Sequence, residues 1–301
     1  MNLSLKTRLA RPRAVIGAVI GTGAVGLAAA LTAVSLQAAS AQAASAAAGA
    51  ADSHGMATAK PIIVLEHGAW ADSSSWDAVI VRLTAAGYTV FAPPNPLRGL
   101  SSDAAYLHDF LTGNPALAGR PVVLVGHSYG GAVITNAVVG DPSVKALVYV
   151  DAFIPDQGQT VEDLLGKVPG SCIGGDPKTT FLPVPYPGAP DGSADLYLQP
   201  QEFPGCFASG LPAVEAAKLA ATQRPLASAA VTEASGQPAW KTVPTWAVVG
   251  TADRVIPPAE LLAMASHAHA HVTKVEAGHL SLISAANTVT RVIIRAATAT
   301  S

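Results

Sequence analysis

The sequence predicts an α/β fold: a mostly parallel sheet of about six strands, helices on both faces, and an inserted cap. Three observations carry this. Short continuous apolar runs recur along the chain, as strands buried on both faces require. Helix-spaced apolar patterns alternate with them, the rhythm of a parallel sheet built from strand–helix–strand units. One long stretch, residues 155–238, breaks the rhythm and is rich in proline and glycine.

Residues 1–43 read as an address rather than as fold. Lys6, Arg8, Arg11 and Arg13 precede an uncharged run over 14–36, and small-x-small cleavage candidates follow at 39–41 and 41–43. That order is a secretory signal peptide. The run is also long enough to span a bilayer, so an uncleaved anchor is the alternative. Residues 44–60 are rich in Ala, Ser and Gly and read as a flexible lead-in.

The folded part begins with a strand over 61–66 (PIIVLE). A helix over 76–86 follows, with Trp76, Val79, Ile80 and Leu83 on one face and Gly87 as its stop. A second strand (TVFA, 89–92) ends at Pro93-Pro94. Ser101 is placed to cap a helix running to Leu111, with Leu107 and Leu111 inward. Then come strand 122–126 (VVLVG), helix 129–139 and strand 144–150 (VKALVYV). After the break, strand 245–250 (TWAVVG) precedes helix 258–268, which has Pro at its start. A strand over 272–276 and a helix over 281–296 end the chain. Residues 61–154 and 239–301 thus form the core.

Residues 155–238 are too long for an ordinary loop and read as a cap over the carboxyl edge of the sheet, with helical pieces near 160–165 and 212–221. A disordered insertion is the alternative. The cap holds both cysteines, Cys172 and Cys206. Outside the cytosol thiols tend to pair. Such a bridge would tie the cap's two halves, and reduction would then alter KM before global stability; two buried free thiols are the other reading.

The 301 residues are 50% hydrophobic and 13% charged, enough for a packed core. The formal net charge is −2, and without the four basic residues of the leader 14 basic residues face 20 acidic ones. No Lys/Arg cluster follows residue 13, so nucleic-acid binding is excluded. Two cysteines make neither a disulfide scaffold nor a four-cysteine zinc site.

The chemistry concentrates in Gly126-His127-Ser128-Tyr129-Gly130-Gly131. An apolar strand ends at its first glycine and a helix starts at Tyr129, the context that makes this short pattern specific. The sharp turn places the Ser128 hydroxyl above the sheet at a helix N-terminus. A serine needs a base, and His279 follows the last strand. An acid must orient that base; Asp253 follows the preceding strand, and Asp151, after the fourth strand, is the rival, with a hydrogen bond to the turn into the cap as its bland role. The backbone N–H groups of Tyr129 and Ala69 are placed for an oxyanion hole. His67 is expected to hold that loop and His127 to pack beside the nucleophile. Trp70, Phe153 and Leu280 are candidate pocket residues, with the cap aromatics Tyr186, Tyr197, Phe203 and Phe207 behind them. His267, His269 and His271 alternate but have no neighbouring ligand, and no metal or cofactor is expected.

These motifs make the chain resemble the α/β-hydrolases, in particular the compact branch with plant methylesterases and hydroxynitrile lyases. The likeness rests on HGAW (67–70), AGYTVFAP (86–93), GHSYGG (126–131), DAFIP (151–155), GTADRVIPP (250–258) and GHLSLIS (278–284). It implies a serine nucleophile and an acyl-enzyme. Leu280 stands where the lyases carry lysine, and Gly68 where they carry threonine, so cyanohydrin cleavage is not expected. The expected protein is an exported serine hydrolase of small or medium carboxylic esters, free of the membrane once its signal is cleaved. A ligand-binding protein on the same scaffold is the other class. Oligomeric state is left open.

Overall fold

The computed structural model describes residues 60–300. The expected signal peptide (1–43) and, apart from Lys60, the lead-in (44–60) lie outside the described residues.

Six parallel strands form the main sheet: β1 (Ile62–Glu66), β2 (Val90–Phe91), β3 (Val122–His127), β4 (Val144–Val150), β8 (Thr245–Gly250) and β9 (His271–Val275), in the order β2-β1-β3-β4-β8-β9. Every residue of β1, β3 and β8 is buried, so both faces are covered, which is why these strands read as unbroken apolar runs. Helix α1 (Asp77–Ala85) packs on the C-terminal helix α10 (Ala286–Ala299), and α2 (Leu100–Gly113) packs on α3 (Tyr129–Ala137). Helix α10 buries Val289, Val292, Ile293 and Ala296 on one stripe.

Several elements differ from expectation in detail. The helix expected over 76–86 is a 3-10 turn, Ser73–Trp76, followed by α1; Asp72 caps the turn by accepting from Ser74 N–H. Ser101 does not cap α2. Gly99 stands at the cap position, and Asp103 reaches back to accept from the N–H groups of Arg98 and Gly99. The last helix is broken into α9 (Ser281–Ser284) and α10, and helix α8 (Pro258–His267) starts at its proline as expected.

Between β4 and β8 the chain is ordered. It forms α4 (Val161–Lys167), whose Thr160 and Asp163 make a reciprocal capping box. After the short α5 (Pro177–Thr180) comes a three-stranded antiparallel sheet that the sequence pattern did not suggest: β5 (Phe181–Val184), β6 (Asp195–Leu198) and β7 (Leu226–Ala227). Helices α6 (Ala213–Thr222) and α7 (Ser228–Thr232) flank it. Cys172 and Cys206 are joined in a disulfide with Cα atoms 5.7 Å apart.

Register determines where the site can be. Gly126 pairs with Glu66, His127 with Val150, and Gly250 with Val275. The loops leaving β1, β3, β4, β8 and β9 therefore open at one edge of the sheet. Strand order reverses between β1 and β3, the point at which open parallel sheets bind ligands.

Candidate active site

Ser128 follows β3 with φ 53° and ψ −124°, a conformation that costs a non-glycine residue about 1–3 kcal/mol. The turn is held by close packing: a Cβ on Gly126 would lie 2.6 Å from the Gly130 carbonyl oxygen. Ser128 N–H donates to Val150 O, and its own carbonyl accepts from Phe153 N–H and Gly131 N–H. These bonds hold the strained residue between β4 and α3.

The Ser128 hydroxyl lies 2.9 Å from His279 Nε2, and His279 Nδ1 lies 2.8 Å from Asp253 Oδ2. The His279 and Asp253 side chains are fully buried. Asp253 Oδ1 accepts from the N–H groups of Val255 and Ile256, at 2.8 and 3.0 Å. With one oxygen held by two backbone donors, the other is available to the imidazole. That fixes Nδ1 as the protonated nitrogen and leaves Nε2 to accept the serine proton. The structure thus brings together all three residues singled out in the sequence.

Asp151 is in the same cluster but does not touch the imidazole. It sits beyond β4 at φ 45°, fully buried. Its Oδ1 accepts from Gly250 N–H at 2.6 Å, and its Oδ2 accepts from the Ser281 hydroxyl. Gly250 ends β8 just before the loop that carries Asp253, and Ser281 opens α9 just after His279, so the bland role expected for Asp151, bonding the turn into the cap, is corrected. Its pKa is pushed up to about 7, first by burial and then by the Asp253 carboxylate. Asp253 is held by three donors, while Asp151 keeps its proton up to about pH 7.

His127 is buried, and its Nε2 donates to the His279 carbonyl at 3.0 Å, while Nδ1 has no hydrogen-bond partner among the described residues. Burial, then His279, holds its pKa well below the usual value, so it stays neutral and braces the His279 loop. His67 donates from Nδ1 to Gly68 O and accepts at Nε2 from Asn95 N–H, while Asn95 Nδ2 donates to His67 O. Burial lowers its pKa to about 4. This neutral ring holds the β1 loop, the structural role expected of it.

That loop lies against Ser128. A Cβ on Gly68 would lie 3.2 Å from Tyr129 N. Among the described residues the Ala69 N–H has no protein acceptor. Tyr129 N–H opens helix α3, where first-turn donors lack intrahelical partners. The Tyr129 hydroxyl donates to Asp103 at 2.8 Å.

Ala69, Ser128 and Tyr129 line a cavity of about 280 Å³. Trp70, Phe153, Leu165, Ile173 and Phe181 make much of its wall, and Glu162 is its one ionisable side chain apart from Tyr129. Trp70 is placed by its own N–H on Arg224 O and its indole N–H on Leu196 O. Leu280, a candidate for this pocket, is not on the wall. It is the residue before α9 and turns into the core, 1% exposed. None of the four cap aromatics singled out lines the cavity; Phe181, which was not, does. Its signal was faint, a lone aromatic at the head of a strand interrupted by Pro183.

The three alternating histidines are dispersed in role. His267 pairs with Asp156, His271 packs on Trp246, and His269 sits in a turn at φ 52°. Among the described residues no group of three or more His, Cys, Asp or Glu side chains is placed to hold a metal ion.

A strained serine after the central strand, with a histidine and an acid at the same edge, defines an α/β hydrolase. The comparison with known proteins agrees: the chain belongs to the alpha/beta hydrolase family, whose pattern matches residues 63–291. It is 37% identical over 115 residues to the carbendazim hydrolyzing esterase of Nocardioides sp. (strain SG-4G), an alignment covering 35% of this chain and 47% of that protein. The chain spans about half the length of the curated relatives it matches. The crystal structure of a pyrethroid hydrolase from Sphingobium faniae JZ-2 is similar in fold, with TM-score 0.61 and 22% identity over 79% of this chain and 98% of that one. Polyneuridine aldehyde esterase is likewise similar, with TM-score 0.64 and 21% identity over 78% of this chain and 98% of the other.

Proposed function

We propose that this chain is an exported serine hydrolase of small or medium carboxylic esters. The observation that carries the reading is the continuous hydrogen-bonded line from Asp253 through His279 to Ser128, beside an apolar cavity. Ser128 Oγ attacks the ester carbonyl while His279 Nε2 takes its proton. The carbonyl oxygen becomes an oxyanion and accepts from the N–H groups of Ala69 and Tyr129. Asp253 keeps the imidazolium oriented. His279 then gives its proton to the leaving alcohol, and a water molecule repeats the sequence to release the acid. The similarity to an esterase supports this reading. Export rests on the order of the first 43 residues.

The test is turnover of p-nitrophenyl acetate by the mature chain. Sustained release of many equivalents is expected. One equivalent of nitrophenolate followed by silence would instead make the chain a ligand-binding protein with a trapped acyl group.

The oxyanion assignment predicts a second result. A Cβ on Gly68 would lie 2.7 Å from Ser128 Cβ and 2.8 Å from the His127 carbonyl oxygen, neither of which can swing aside. Gly68→Ala must therefore displace the loop that carries the Ala69 N–H. Loss of one such donor costs about 10²–10³ in kcat. A fall of roughly 10-fold or more in kcat is expected, with KM changed far less. An unchanged kcat in folded protein would remove Ala69 from the oxyanion hole.

A further inference from the structure

We propose that the Cys172–Cys206 bridge, together with Arg254, is a positioning clamp on the loops that carry the acid and the base, so that closing the bridge sets kcat. The proposal rests on the hydrolase reading above. It moves the bridge's main effect from the cap, where the sequence places it, to the triad.

One half of the bridge grips the acid loop. Cys172 N–H donates to the Arg254 carbonyl at 2.8 Å, and the Ser171 hydroxyl donates to the Val255 carbonyl at 2.6 Å. Arg254 and Val255 directly follow Asp253, and Val255 N–H is one of the two donors that hold Asp253 Oδ1. The backbone of 254–255 is thus bonded on one side to the acid and on the other to residues 171–172.

The other half covers the base. Phe207, next to Cys206, packs its ring 5.3 Å from the His279 ring and 5.7 Å from Trp70, and Phe203 backs it at 5.1 Å. Ser209 presses its carbonyl against Gly278, the residue before the base, so closely that a Cβ there would strike it. Arg254 joins the two halves, its guanidinium Nη1 donating to the Gly205 carbonyl at 2.8 Å. Segment 171–175 and segment 200–210 contain no regular helix or strand of their own. Beyond the β5–β6 pairing, whose end Gln199 N–H extends by donating to Thr180 O, their relative position is set by the covalent bridge, by Arg254 and by side-chain packing. Opening the bridge frees Phe207 to move off the imidazole and residues 171–172 to move off the acid loop. A misplacement of about 1 Å in such a group is enough to lose about 10²-fold in rate.

The experiment compares the chain with its bridge closed, the same chain reduced with dithiothreitol, the double variant Cys172→Ala/Cys206→Ala, and Arg254→Ala with the bridge intact. Dithiothreitol delivers two electrons and two protons to the bridge, leaving two thiols and one cyclic disulfide of the reagent. Readouts are kcat and KM on p-nitrophenyl acetate, the rate at which a small fluorophosphonate labels Ser128, and circular dichroism. The expected result is a fall in kcat of at least tenfold on reduction or in the double variant, with KM within threefold. Labelling should slow in parallel, and reoxidation of the reduced chain should restore both. Arg254→Ala should lose kcat in the same sense by a smaller factor. A rise in KM with kcat held within twofold would overturn the clamp and return the bridge to a cap tie. Unchanged kinetics in the folded double variant would overturn it too. Should the double variant not fold, full kcat in Arg254→Ala would do so. A closed-bridge chain that is labelled by the fluorophosphonate but turns over no ester would count against the hydrolase reading, and the labelling rates would still test the clamp.

Discussion

Ser128→Ala is expected to lower kcat by at least about 10⁴ while the fold survives. The hydroxyl is the only atom removed, and it points to His279 Nε2 and the cavity rather than into the sheet. The strain at φ 53° remains, because alanine carries the same Cβ. What changes is the loss of one hydrogen bond to the His279 imidazole, a net effect of about 1 kcal/mol. Thermal unfolding should therefore shift by only a few degrees, and the variant should still bind esters. Activity near that of the parent chain, in folded protein, would reject Ser128 as the nucleophile and with it the whole line through His279.

The edge that carries the candidate site was legible in the sequence because Ser128, Asp151 and Asp253 directly follow or closely trail strands buried on both faces, whereas His279 trails the largely exposed edge strand β9. Strands buried on both faces appear as bare apolar runs, and β1, β3, β4 and β8 were placed to within a residue or so. Once the strands are parallel, Ser128, Asp151, Asp253 and His279 must share one edge, whatever the cap does. The cap sheet was not legible for a related reason. Strand β5 is largely exposed and broken by Pro183, and β7 has two residues, so neither shows a period. Contacts across long separations were also hidden. Nothing local to Asp151 points to Gly250 or Ser281, 99 and 130 residues away. Nothing local to Arg254 points to Gly205. Leu280 is off the cavity wall because the residue after a loop histidine can turn either way, and at the start of α9 it is packed in the core.

The two acids allow a sharper test, because the structure gives them different partners. Asp253→Asn is expected to lower kcat by about 10³–10⁴, by analogy with the serine-protease triad. The two N–H groups of Val255 and Ile256 will orient the new amide oxygen toward themselves. The amide NH₂ then faces His279 Nδ1, which must accept, and the proton moves to Nε2. That tautomer cannot take the proton of Ser128. Asp151→Asn should cost less than about tenfold, because its oxygen can still accept from Gly250 N–H while its NH₂ donates to the Ser281 hydroxyl. It imitates the protonated form, which burial and the Asp253 carboxylate favour up to about pH 7. The pH dependence has a definite sign. With a pKa of about 7 in the folded chain against an ordinary value of 3.8, Asp151 retains a proton on folding that the unfolded chain has lost. The stability this contributes is full below about pH 4 and fades as pH rises through about 7. Asparagine has no proton to lose, so relative to the parent chain Asp151→Asn should gain stability as pH rises, by on the order of 2–3 kcal/mol between pH 5 and pH 8. Urea unfolding at pH 5 and pH 8, paired with kcat at each, checks both halves. An equal stability difference at the two pH values would mean that Asp151 does not titrate between them. A larger kcat loss in Asp151→Asn than in Asp253→Asn would make Asp151 the acid that orients His279.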